Sequence, residues 1–330
     1  MRMHALFVTL SLLSGVAAAA PQKQAKDNTV IYMTASAKAD ADGSTPEAGM
    51  GDLQAAIDLA QKRFAEGYRD VTIRVKPGRY PGQQAKTTGA GKGRRLIITS
   101  VNEQGRAIFD GGDKIDTWLT IPSMAGEPAN LVVSGLTVTH YGTAITMNGS
   151  RDDLKKTVNH VEIRANFFDT IGQAVAKKGQ PSTAVIRLVN GDDNQIIGNR
   201  FTHFRNAERC GLLHAIYVAH NSTGNLIKDN QFEDGCGDAI RFRDTSGNNV
   251  VQGNRFEDAW EHAPITDWYC DASSRTDCTK RTGECPSLDN RLIGNQLVAH
   301  RVRDEGMVAE FGDVQTKMCP AAPGAKRFVQ

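Results

Sequence analysis

Apolar residues along this chain fall in short runs, and within each run they alternate with polar ones. Ile240 and Phe242 alternate with Arg241 and Arg243, Ile216 and Val218 flank Tyr217, Ile186 and Leu188 flank Arg187, and Ile145 and Met147 flank Thr146. A period of two with β-branched and aromatic residues is the pattern of a strand. Between the runs lie clusters of Asp, Asn, Ser, Thr and Gly, such as Asp244–Asn249, that read as turns. Asp238–Phe256 is thus one full coil of a parallel β-helix: a strand Ala239–Arg243, a turn, a second strand from Val250, and a third over Arg255–Glu257 entered at Asn254.

The coil recurs. Asn-x-Phe or Asn-x-Leu steps stand at Asn166, Asn199, Asn230, Asn254 and Asn295, and a second Asn lies five residues ahead of four of them, at Asn194, Asn225, Asn249 and Asn290. Regular short strands punctuated by turns mark a solenoid. Asn tolerates the left-handed backbone of such turns, and stacked Asn side chains can hydrogen-bond from coil to coil. The expected fold class is all-β, one single-stranded parallel β-helix. Asp52–Gly67 departs from it: Leu53, Ala56, Ile57, Ala60 and Phe64 repeat at helical spacing between an Asp start and a Gly stop. A helix there suits a cap over the apolar end of the first coil. Strands are also expected at Val30–Met33, Val71–Val75, 96–98 and 107–109, with a turn at 110–113.

The opening strand, the capping helix, the Pro77-Gly78-Arg79-Tyr80 turn and the Asn-punctuated coils resemble the pectin-lyase-like right-handed β-helix superfamily over residues 28–312. That superfamily contains lyases, hydrolases, epimerases and adhesins, so the resemblance implies fold more than function. Within it, the Asp238–Phe256 coil is similar to the arginine coil of the alginate and chondroitin-B lyase family, where an Arg precedes a Gly/Asn turn and an Asn-x-Phe step as Arg243 does here. The resemblance implies a carboxylate-neutralising role for Arg243. The family keeps its catalytic Lys one coil earlier, where this sequence has Ala219-His220.

Uneven repeat lengths predict where a groove lies. The Asn-to-Asn steps are 33, 31, 24 and 41 residues, and the extra residues fall between Phe168 and Ala184, Phe201 and Ala215, and Ala263 and Asn290. All border the same strand of the coil, and insertions on one face often mark the binding face. Ala144–Met147, Val185–Val189, Ala215–Ala219 and Ala239–Arg243 should floor this groove. Ile145, Met147, Ile186, Leu188, Ile216, Val218, Ile240 and Phe242 should point inward. Thr146, Arg187, Tyr217 and Arg241 should stack outward at about 4.8 Å per coil, with Arg243 two residues beyond. His214, Asp238 and His262 take equivalent places before the strand, and His220 lies just after it. An outward Arg241 should matter little for stability, and an inward Phe242 should matter greatly.

Rows of Arg suit a polyanionic sugar chain. Breaking a uronate chain by β-elimination needs a cation for the C6 carboxylate, a base for the C5 proton and an acid for the leaving oxygen. Arg241 and Arg243 can supply the first, and Tyr217, His214 or His220 the others. Arg187, Asp238, His262 and Trp268 are candidate substrate contacts, Trp268 by stacking on a sugar face. The expected function is a polysaccharide lyase. The alternatives are a non-catalytic glycan-binding or cell-surface β-helix protein, and a glycoside hydrolase or C5-epimerase. A hydrolase needs two carboxylates facing one bond, and the outward rows supply no such pair.

Composition narrows the setting. Lys and Arg number 39 against 37 Asp and Glu, a balance that gives no support for a nucleic-acid or membrane-surface partner. Arg2 and His4, the apolar run Ala5–Val16 and Ala18-Ala19-Ala20 read as a cleaved signal peptide over residues 1–20, so a secreted or periplasmic monomer is expected. Residues 21–330 form one domain, with a disulfide-rich loop over 268–286 and a tail over 313–330. Six Cys in an exported chain read as disulfides. Cys210 is expected to bond Cys236, and Cys270, Cys278, Cys285 and Cys319 to pair among themselves rather than hold zinc. No cofactor is expected; Asp192, Asp193, Asp234 and Asp244 are the carboxylates that calcium could use.

Overall fold

The computed structural model describes residues 26–330 apart from 101–105, 125, 174–182, 207, 209, 258–262, 273–275, 277, 279–282, 299–305, 313–318 and 320–322. The signal peptide expected over residues 1–20 and His262 lie outside the described residues. Among the described residues, no helix is long and apolar enough to cross a membrane.

Every coil-to-coil pairing between named strands is parallel, and each coil contributes to three faces. The first face is a ten-stranded sheet running from Lys26–Met33 through Leu226–Lys228 and Val250–Gln252 to Phe328–Val329. The other two faces join into one sheet because two long strands, Ala107–Pro122 and Thr137–Asn148, bend through the corner between them. Thr137–Thr139 pairs with Phe167–Asp169 on the second face, and Ile145–Asn148 with Ile186–Val189 on the third. The expected turn at residues 110–113 is instead a register shift within Ala107–Pro122, with Gly112 and Asp113 at positive φ. The chain bends there without leaving the sheet.

The helix Leu53–Ala65 buries Leu53, Ala56, Ile57, Ala60 and Phe64, the face that the spacing predicts. The Asp52 side chain accepts the Ala55 N–H at 2.7 Å, which caps the helix start. The helix lies against Lys26–Met33 and Tyr68–Val75, the strands that open the solenoid.

Both Asn series form ladders at the turns. The Nδ2 atoms of Asn166, Asn199, Asn230 and Asn254 each donate to the Oδ1 of the next coil's Asn at 3.0–3.1 Å. Asn194, Asn225 and Asn249 do the same towards Asn225, Asn249 and Asn290 at 2.9–3.1 Å. One coil on from each Asn-x-Phe step the next Phe stacks on the last: Phe168, Phe201, Phe232 and Phe256 lie with centroids 4.9–5.1 Å apart inside the solenoid. Asn230 occupies the centre of its ladder. Its Oδ1 accepts the Asn199 N–H and side-chain amide, and its Nδ2 donates to Ile196 O and Asn254 Oδ1. Asn230→Ala is expected to destabilise by roughly 2–4 kcal/mol, since buried partners lose their mates. Denaturant unfolding checks this, and a change below about 0.5 kcal/mol would mean that the ladder holds nothing.

Polar groups also enter the C-terminal end of the core. Asp267 stands inward beside Phe242, and burial pushes its carboxyl up to about 7 against the pull of Arg327. Arg327 is fully buried, 3.4 Å from Asp267 Oδ2, and donates to Phe311 O and Gly312 O. Phe328 packs edge-on against Phe242, so the last residues of the chain close this end. Cys270–Cys278 and Cys285–Cys319 are disulfides, as their clustering predicts, and cannot ligate zinc. Cys236 is disulfide-bonded too, while the Cys210 side chain lies outside the described part.

Candidate functional site

The third face carries the expected rows in the expected register. Thr146, Arg187, Tyr217 and Arg241 are Cα partners on successive strands, and the row continues to Thr266. The second row runs Asn148, Val189, Ala219, Arg243 and Trp268. Ile145, Met147, Ile186, Leu188, Ile216, Val218, Ile240 and Phe242 all join the interior core. Alternation skips at the corner before the strands. Val185, Ala215 and Ala239 face inward, whereas Ala184 packs with Tyr217 and Ala219 on the outer face. Ala184 is the Cα partner of His214, so the skip turns His214 towards the groove. Its ring stacks on Tyr217, 5.9 Å between centroids and nearly parallel, and its Nδ1 lies 3.2 Å from Asp238 O.

Tyr217 is the centre of the arrangement. Its hydroxyl accepts a hydrogen bond from Arg243 Nη1 at 2.9 Å, and only 7 % of the residue is exposed. Arg243 is held from three sides. Its Nε donates to Glu284 Oε2 at 2.6 Å, and its guanidinium carbon lies 4.5 Å from the Trp268 ring centroid. Burial alone would lower its pKa, but Glu284 and Tyr217 outweigh burial and raise it. Arg187, on the strand preceding Tyr217, has no carboxylate partner among the described residues and donates to Asn148 Oδ1 at 3.4 Å. Burial lowers its pKa, with Arg151 and Arg243 adding to the effect and Tyr217 opposing it. Its charge is the under-compensated one on the floor.

Arg241 differs from its expected free state. It forms an ion pair with the fully buried carboxylate of Asp238 and donates from Nε to Thr266 Oγ1 at 2.6 Å. Thr266 Oγ1 donates in turn to Asp238 Oδ2 at 2.9 Å. The reason is geometric: the corner places Asp238 three residues before Arg241 and beneath its side chain, so the pair compensates itself.

On the far rim, His220 and Asp244 are stacked on adjacent coils, both at positive φ. His220 Nδ1 lies 2.8 Å from Asp244 Oδ2. Burial opposes ionisation of Asp244, but the His220 hydrogen bond and charge and the Cys285 N–H hold the carboxyl below its ordinary value. Glu284 reaches the same spot, and sequence reasoning missed it. Its backbone pairs with Cys270, its Oε2 also accepts the Cys270 N–H, and Cys285 follows it directly. The two disulfides therefore place Glu284; the flanking Cys285 was the available signal. Asp192, Asp193 and Asp234 lie elsewhere: Asp192 binds Thr223, and Asp234 pairs with Arg205.

Against known proteins, a family model described as "Right handed beta helix region" matches residues 94–275, more than half of the chain. The chain belongs to the right handed beta helix region family. Membership gives the solenoid its right hand, in agreement with the parallel three-faced coils. Among solved structures, this β-helix is similar to the alginate lyase from Paenibacillus sp. str. FPU-7, at 13% identity over 81% of this chain and 76% of that one, with a TM-score of 0.55. It is similar also to the catalytic domain of a GH87 alpha-1,3-glucanase in complex with nigerose, at 14% identity and a TM-score of 0.50. That match covers 84% of this chain and 47% of the glucanase chain, so this β-helix spans about half the glucanase length. At such identities the likeness is one of fold. No curated protein matches this chain.

Proposed function

We propose that this β-helix protein is an exported polysaccharide lyase that cleaves a uronate-containing chain by β-elimination in the groove of the third face. One observation carries the reading: the Tyr217 hydroxyl is hydrogen-bonded to Arg243 and stands beside Arg187, a cation with no carboxylate partner among the described residues. The incoming C6 carboxylate lands on Arg187, which can bind it bidentately. Arg243 is already paired with Glu284, so its work is to hold the Tyr217 oxygen in place by its hydrogen bond and to balance negative charge on that oxygen during proton transfer. Tyr217 then takes the C5 proton and can return it to the leaving oxygen. His214 supports the Tyr217 ring by stacking, and Trp268 offers a sugar platform beside Arg243. Arg241 and Asp238 build the floor. The disulfides agree with an oxidising, extracytoplasmic setting.

The same geometry disfavours hydrolysis. Asp238 is locked to Arg241, Glu284 to Arg243 and Asp244 to His220, which leaves no free carboxylate pair on the floor among the described residues. The test is ultraviolet absorbance from unsaturated uronate ends over alginate, pectate and a neutral α-1,3-glucan. Signal is expected from a uronate polymer and none from the glucan, and Arg187→Ala should raise KM for the cleaved polymer. Reducing ends without unsaturation would make the protein a hydrolase. Binding without any product would make it a glycan-binding module.

A further inference from the structure

His220 and Asp244 take no part in the proposed lyase reaction, and Glu284 enters it only by holding Arg243; the three form a cluster. Their nearest ligand atoms lie within 4.8 Å of one another, the only such group of three among the described residues. His220 Nδ1 is 2.8 Å from Asp244 Oδ2 and 4.0 Å from Glu284 Oε1. Donors at zinc-bond lengths around one tetrahedral ion stand roughly 3.3–3.5 Å apart, midway between these two values.

Each carboxylate spends one oxygen on its surroundings and turns the other to the cluster. Asp244 Oδ1 accepts from Thr245 Oγ1 and the Cys285 N–H, which leaves Oδ2 facing His220. Glu284 Oε2 accepts from Arg243 Nε and the Cys270 N–H. Glu284 Oε1 accepts no hydrogen bond among the described residues, although the side chain is only 3 % exposed. Arg151 Nη2, on a side chain that is 55 % exposed, lies 3.6 Å from it. An oxygen that accepts no hydrogen bond among the described residues and lies 4.0 Å from an imidazole nitrogen is placed to share a cation with it. Outer contacts that fix ligating carboxylates are themselves the mark of a built metal site.

We propose that His220 Nδ1, Asp244 Oδ2 and Glu284 Oε1 bind one divalent zinc-type cation at the rim of the groove. A nitrogen donor and three compact protein ligands suit zinc, whereas calcium takes six to eight oxygens. Asp244 and Glu284 bring two negative charges to the ion, the second shared with Arg243, and the Cys270–Cys278 and Cys285–Cys319 bridges hold Glu284 and the Asp244 partner Cys285 in place.

The experiment is calorimetric titration of Zn²⁺ into tag-free, chelator-treated, disulfide-intact protein. One ion per chain is expected, with calcium binding far more weakly. His220→Ala and Asp244→Asn should each weaken zinc binding by more than about 100-fold, beyond the range for outer contacts. His203→Ala serves as the control, since His203 lies between Asp169 and Asp234 in a separate exposed cluster; its zinc affinity should stay that of wild type. No zinc binding by wild type overturns the proposal whatever the variants do. Equal binding by all variants, or loss only in His203→Ala, places the ion elsewhere and overturns it too. Should both rim variants misfold, anomalous scattering from a zinc-soaked wild-type crystal decides: an ion off this triad refutes the site.

Discussion

Tyr217→Phe is expected to lower kcat on a cleaved uronate polymer by about 10²–10⁴-fold, the range for a positioned acid–base group, with little change in melting temperature. The ring stays, so the stack on His214 and the contacts with Ala184 and Ala219 survive. Only the oxygen goes. Arg243 loses one acceptor but keeps Glu284 and the Trp268 face, so the stability change should stay within about 1 kcal/mol. KM should move less than kcat, because the C6 carboxylate is received by Arg187 and proton transfer belongs to the transition state. Steady-state kinetics with a folding check by circular dichroism measures it. Full activity in this variant would move the chemistry off Tyr217.

Arg241→Ala and Phe242→Ala are both expected to destabilise the fold by about 3–5 kcal/mol, for unrelated reasons. Phe242 is fully buried against Phe328, so truncation leaves a cavity where the C-terminal closure packs. Arg241 faces outward, yet its loss removes the cation that pairs with the fully buried Asp238 carboxylate. Equilibrium unfolding in denaturant gives both values. An unchanged Arg241→Ala would show that the Arg241 ion pair is not what holds the Asp238 carboxylate in the fold.

Those two neighbours also show how far the sequence carries. The side on which each residue lies was legible, because the period-two pattern repeats on four consecutive strands and a slip of one residue would bury every Arg. The Asn ladders were legible for the same reason, since the Asn residues recur at fixed places in coils of different length. Partners across a corner were not. Asp238 and His214 share a place in the coil count, but one pairs with Arg241 and the other stacks on Tyr217, a difference set by how each coil turns. Glu284 was hidden more deeply. It comes from the long insertion after Ala263, where no repeat exists to align it, and lies 41 residues from Arg243, the side chain it holds. Its role in the site also moves Arg243 from carboxylate receiver to partner of Tyr217 and leaves that task to Arg187, which alone on the floor lacks a carboxylate among the described residues.

The most direct measurement is the mass of the two fragments released from one defined uronate oligosaccharide. Elimination moves a proton and breaks a C–O bond without adding water, so the fragment masses should sum to that of the substrate, with the unsaturated residue on one of them. Fragments that sum to the substrate plus one water would contradict the account.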